Sequence, residues 1–124
     1  MGKIVHWSDW ELEGREDCKL VQNEDGVELE GDVTGTRDSN YQGHYLVRTD
    51  ASLRTREVVV EYINGPKLHI TSDGKGNWND HATGKPLPSL QGCLDVDFGI
   101  TPATNTLPIK RLGLQNGQSR DITV

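Results

Sequence analysis

Val27-Glu28-Leu29-Glu30-Gly31-Asp32-Val33 is the stretch that decides the fold class. Apolar and acidic residues alternate along it with a period of two. In an extended chain, Val27, Leu29 and Val33 therefore share one side, and Glu28, Glu30 and Asp32 share the other. The stretch predicts a strand with one buried face and one wet face. Just before it, Asn23-Glu24-Asp25-Gly26 forms a tight polar turn after the run 18–22, so the two runs together predict a hairpin.

Moving outward, residues 41–49, 55–63, 67–72, 90–98, 107–114 and 120–124 predict further strands at short spacing, with Asn64-Gly65-Pro66 turning the chain between two of them. Composition agrees. Ten Val, six Ile and ten Thr stand against three Ala, and 14 Gly with 5 Pro interrupt the longer runs, so strands and turns are better supplied than helices. The weak helical window from Ser8 to Glu16 is short. With 124 residues, 33% of them hydrophobic, the chain predicts one lean core in a single domain spanning 1–124. The expected class is mainly β, a single curved antiparallel sheet or a spiral β-roll. Leu29, Val96 and Phe98 are expected in its core, with Glu28, Glu30 and Asp32 in water.

Thirteen Lys and Arg against 19 Asp and Glu give a net charge of −6, with no basic cluster, which argues against a nucleic-acid partner because phosphate binding needs clustered cations. No apolar run approaches the roughly 20 residues of a membrane-spanning helix. His6, Ser8 and Asp9 stand where a signal peptide needs its apolar segment, so a cytoplasmic location is expected.

Enzyme motifs carry spacings that their chemistry demands. There is no Gly-x-Ser-x-Gly elbow, and Gly74, Gly76 and Gly84 do not lead into the Gly-Lys-Ser/Thr that cradles phosphates. His6, His44, His69 and His81 occur singly, without the close pairing that brings two imidazoles to one ion, so no metal is expected. Cys18 and Cys93 are expected to remain free thiols in a reducing compartment. No residue is assigned as catalytic, and no cofactor is implied. Residues 73–78 read as a hairpin turn or as a ligand-contacting loop that offers Trp78 as an apolar surface.

The segment Cys93-Leu94-Asp95-Val96-Asp97-Phe98 carries the most informative polar pattern. As a strand it would place Asp95 and Asp97 on one side and Leu94, Val96 and Phe98 on the other. Such a carboxylate pair could serve acid/base chemistry or hold a cation or sugar hydroxyls. It could equally be salt-linked to Arg48, Arg56 or Arg111 on neighbouring strands. The following Thr101-Pro102-Ala103-Thr104-Asn105-Thr106-Leu107-Pro108 predicts a rigid connection that bonds its own backbone.

Gly92-Cys93-Leu94-Asp95-Val96-Asp97-Phe98, followed by the run from Thr101 to Leu112, closely resembles the signature of the bacterial putative glycolipid-binding family. Glu16, Cys18, Asp25-Gly26, Tyr45 to Val47, Thr55-Arg56 and Asp73-Gly74-x-Gly76-x-Trp78 extend the resemblance over nearly the whole chain. It implies a spiral β-roll and non-catalytic binding of an amphipathic small molecule, such as a glycolipid, on the concave side. Arg48, Arg56, Trp78, Asp95, Asp97, Asn105 and Arg111 are then the candidate ligand contacts. The alternatives are a small hydrolase or isomerase using Asp95 and Asp97, and a protein-interaction module that pairs through a sheet edge. Leu53 stands where the family commonly has Trp ahead of the Thr-Arg pair, and Ala103 where it commonly has Phe after the Pro; both replacements remove apolar surface. Family members typically extend further at the carboxyl end, so this chain is expected to be a shorter form. The alternation through Asp121, Ile122, Thr123 and Val124 then predicts an open edge that pairs two subunits into a homodimer.

Overall fold

Alternation in the sequence becomes a seven-stranded antiparallel meander in the computed structural model, which describes residues 2–8, 14–35, 41–98, 101 and 103–124. The strands are β1 (Gly2–Ser8), β2 (Arg15–Asn23), β3 (Gly26–Gly35), β4 (Tyr41–Thr49), β5 (Thr55–Tyr62), β6 (Lys67–Ser72) and β7 (Trp78–Asp80). Each pairs with its neighbours in chain order, and the sheet is open, not closed into a barrel. The expected mainly β class holds.

Register sorts the side chains into rows running across the strands. One inner row is Cys18, Gly31, Tyr45, Val60 and Leu68; the next is Leu20, Leu29, Val47, Val58 and Ile70. Cys18, Leu29, Tyr45, Val47 and Val58 are all buried, so this face carries the core. The opposite face is charged. One of its rows, His6, Asp17, Asp32, His44, Glu61 and Lys67, crosses six strands with one residue on each. Glu30 and Asp32 are exposed, as the alternation in 27–33 predicts, whereas Glu28, expected in water with them, is half-buried.

Tyr45 reaches from β4 across β3 to β2. A Cβ on Gly31 would lie 2.6 Å from its ring, so only glycine lets the phenol lie across β3. Its hydroxyl then donates to Glu16 Oε2 at 2.5 Å, joining two groups that are both buried. Burial, first, and its hydrogen bonds push the Tyr45 phenol far above its ordinary pKa; burial likewise raises the Cys18 thiol.

The inner face is covered by the chain after β7. A 3-10 turn (Pro88–Leu90), the irregular segment to Phe98, a second 3-10 turn (Ala103–Asn105) and helix α1 (Thr106–Leu112) carry Leu90, Phe98, Ala103 and Leu107 onto the sheet. Ala103 and Leu107 are fully buried against Cys18, Leu29, Tyr45 and Val47. The compactness of alanine at 103 thus suits its place in the core. Thr101 and Thr104 bond backbone N–H groups of this stretch, Thr101 Oγ1 accepting from Ala103 and Thr104 Oγ1 from Phe98, as the expected rigid connection requires.

Three expected strands are corrected. Residues 90–98 form no strand: the N–H of Gly92 donates to the Gly76 carbonyl, the Trp78 indole to the Cys93 carbonyl and the Thr55 N–H to the Leu94 carbonyl, so the segment is tied to a turn and to the starts of two strands by isolated bonds. Within 107–114 the chain is helical. Pro108 sits in the first turn of α1, where its missing N–H costs nothing, and Gly113 closes the helix at φ 63°. Residues 120–124 are irregular, so the strand edge proposed for a homodimer is not formed there. Two strands, β1 and β7, were not anticipated; the weak helical window contributes Ser8 to β1 and Arg15 and Glu16 to β2, with 9–13 outside the described residues.

Candidate functional site

A cavity of about 240 Å³ opens between β5, β6 and β7 on one side and the covering segment on the other. Val58, Ile70 and Trp78 supply its sheet wall, and Leu90, Val96 and Phe98 its cover. Alternation explains the wall: in β6 Leu68 and Ile70 point inward while Lys67 and His69 point outward. The hairpin turn 73–77 then brings Trp78 opposite Ser72, as the turn reading of this stretch anticipated. Asp73 holds the turn by accepting from the Lys75 and Asn77 N–H groups and from the Asn77 amide, bonds that lower its carboxyl below the usual range, the Asn77 amide foremost.

Gly76 is the point where turn and cover meet. It has φ 91°, and a Cβ there would approach Gly92 Cα to 2.7 Å. The Trp78 indole N–H donates to the Cys93 carbonyl at 2.9 Å, so the ring is buried and aimed while its single donor is satisfied within the protein. Cys93 is a free buried thiol beside it, and Cys18 is also free. Among the described residues, no group of three or more His, Cys, Asp or Glu could hold a metal ion.

Asp95 and Asp97 both line the cavity, but they do not share a face. Asp95 is 1% exposed and is held by Arg111 of α1, whose Nε and Nη2 donate to its two oxygens at 3.2 and 2.6 Å. Asp97 is exposed. The segment therefore does not keep the expected two-residue alternation: Cys93 and Asp95 are buried, Leu94, Val96 and Phe98 are half-buried, and Asp97 is exposed. Asp95 turns in because an arginine waits there. Of the three arginines considered as partners, Arg111 is the one that reaches it.

The other candidates lie apart from the cavity lining. Arg48 projects from the charged face between Glu28 and Glu57, at 3.0 and 3.1 Å. Arg56 donates to the Ser72 carbonyl at 2.7 Å and approaches Asp50 at 3.9 Å. Asn105 is exposed at the start of α1. Leu53, in the Trp-like position of the family pattern, packs half-buried on the core with φ 63°, in a turn closed by Asp50, which accepts from Ser52 and Arg54. Sequence reasoning missed Val58, Leu68, Ile70 and Leu90 as cavity residues, although the inward alternation of 58–60 and 68–72 carried the signal for three of them.

An open antiparallel sheet, covered on one face and with an apolar cavity under that cover, defines the architecture of a small β protein. The chain belongs to the family described as Putative glycolipid-binding, whose model matches residues 4–124. It is also similar to a DUF1089 family protein from Pseudomonas aeruginosa, known from a crystal structure, at 40% identity and a TM-score of 0.67. That likeness covers 90% of this chain and 61% of the other, so the chain spans less than two thirds of that relative. No curated protein matches it. No helix among the described residues is long and apolar enough to cross a membrane.

Proposed function

We propose that this protein binds an amphipathic small molecule without transforming it, the apolar part entering the cavity under Phe98 and Leu90. The observation that carries this reading is the cavity itself: about 240 Å³, walled almost wholly by apolar side chains and open on one side. An apolar recess of this kind favours hydrocarbon over water. The family description supports a glycolipid as the ligand. The bonds from Arg111 to both oxygens of Asp95 support an anchoring role for that carboxylate over the proton sharing with Asp97 that the hydrolase or isomerase alternative invokes.

Lipid extraction of the purified protein followed by mass spectrometry tests the reading. An amphipathic molecule should co-purify with the wild type and be lost from Leu90→Trp, which fills the recess, while circular dichroism remains that of a β protein. Equal recovery from both proteins would place the ligand elsewhere, and turnover of that ligand would overturn the non-catalytic reading.

A further inference from the structure

We infer that the cavity selects amphipaths whose head group is uncharged and rich in hydroxyls, and discriminates against anionic ones; this rests on the amphipath-binding reading above. The exposed members of the lining, Leu68, Asp97 and Val124, mark the mouth, whereas Val58, Trp78 and Asp95 form the floor. A volume of about 240 Å³ lies below the roughly 300–1,000 Å³ of pockets that enclose a whole small molecule. The cavity therefore takes one apolar chain and leaves the head group at the mouth, beside Asp97.

What a head group meets there follows from which groups are already committed. Neither Lys nor Arg is among the described lining residues. Arg111, which is not in the lining, has Nε and Nη2 on the buried carboxylate of Asp95. The indole N–H of Trp78 is given to Cys93. An anionic head group would thus find a carboxylate at the mouth and no Lys or Arg among the described lining residues, an arrangement that specific sites use to reject wrong partners. Sugar hydroxyls, in contrast, can donate to the Asp97 carboxylate, an acceptor with lone pairs to spare.

Two eight-carbon probes with different head groups separate the claims: n-octyl glucoside and octanoate, titrated below their micelle concentrations at pH 7.5 by isothermal calorimetry. Wild type should bind the glucoside at least about fivefold more tightly than octanoate, the scale of one like-charge contact near water. Asp97→Asn should bring the two affinities within about twofold, and Asp97→Lys should reverse the order. Octanoate binding wild type as tightly as the glucoside overturns the selectivity and leaves the cavity reading standing. A preference that survives Asp97→Lys removes Asp97 as its cause and overturns the inference. Binding of neither probe overturns both.

Discussion

Arg111 and Asp95 join the last helix to the segment that crosses the cavity, through two hydrogen bonds of 3.2 and 2.6 Å to a carboxylate that is 1% exposed. Removing one partner leaves the other charged and buried, which typically costs about 3–5 kcal/mol, while replacing both with apolar residues of similar size is often neutral. Arg111→Met should lower stability in urea by that order, and Arg111→Met with Asp95→Leu should recover most of it. Similar losses in the single and the double variant would show that α1 is held by Leu107 and not by the ion pair.

Leu107 and Phe98 should separate by burial. Leu107 is fully buried in the main cluster, so Leu107→Ala should cost about 2–5 kcal/mol. Phe98 is half-buried at the cavity and meets Tyr45 edge-on with centroids 5.6 Å apart. Its replacement by Ala should fall short of the roughly 3–5 kcal/mol of a fully buried aromatic. Thermal melts of the two variants provide the check, and a larger loss at Phe98 would mean that the cavity collapses when its cover is cut back.

Gly31→Ala should be strongly destabilising although it changes one methyl group. The new Cβ meets the Tyr45 ring at 2.6 Å, and the ring cannot withdraw without giving up Glu16. Tyr45→Phe isolates the polar part of this arrangement: it leaves the buried Glu16 without its donor, at about 1–3 kcal/mol. If Gly31→Ala costs no more than a surface substitution, the phenol has another path across β3.

Glu57 contributes a pH dependence whose sign is set by its neighbours. The hydrogen bond from His69 at 2.8 Å, first, and then Arg48 at 3.1 Å hold its carboxyl below the ordinary range. A folded-state pKa below the unfolded value, about 4.3, adds stability that is complete above that value and is lost as pH falls through the folded one. The stability difference between wild type and Glu57→Gln should therefore be constant at neutral pH and close on acidification below about pH 4. Its size should be small, since these side chains meet water and salt screens them. A gap that widens in acid would contradict the assignment.

Cys18 should be silent toward thiol reagents in the native protein, because burial raises its pKa and keeps it from solvent. In a Cys93→Ser background, labelling should appear only once denaturant unfolds the sheet. Rapid labelling of the native variant would place Cys18 on a solvent path.

Strands β2 to β6 were legible in the sequence because one face is dry and the other wet, so residue type tracks position, as in Leu29 and Glu30. The segment 90–98 copies that pattern for a different reason. It lies over the sheet as a cover, and Asp95 turns inward toward a partner sixteen residues on, which alternation cannot report. In α1 the cues were present but outweighed: Pro108 near the start, Gly113 just past the end, and Leu107 with Arg111 one turn apart on the same side. For the site, Trp78, Asp95 and Asp97 could be singled out as unusual residues, whereas the recess between them exists only once β5, β6 and the cover meet. Arg48 was drawn in by charge and Arg56 by charge and its place beside Thr55, and the register places Arg48 on the charged face opposite Glu57.

Because every strand pairs with its neighbour along the chain, the sheet can be assembled one hairpin at a time, each step closing a short loop at little entropic cost. The cover is different in kind. Seating Leu107 and Ala103 against Cys18 and Leu29 joins distant parts of the chain and must await a sheet to land on. In kinetic terms the fold divides into a locally encoded half and a late, long-range closure. Substitutions at Leu107 should accordingly register mainly in the unfolding rate, and those within the β2–β3 hairpin in the folding rate.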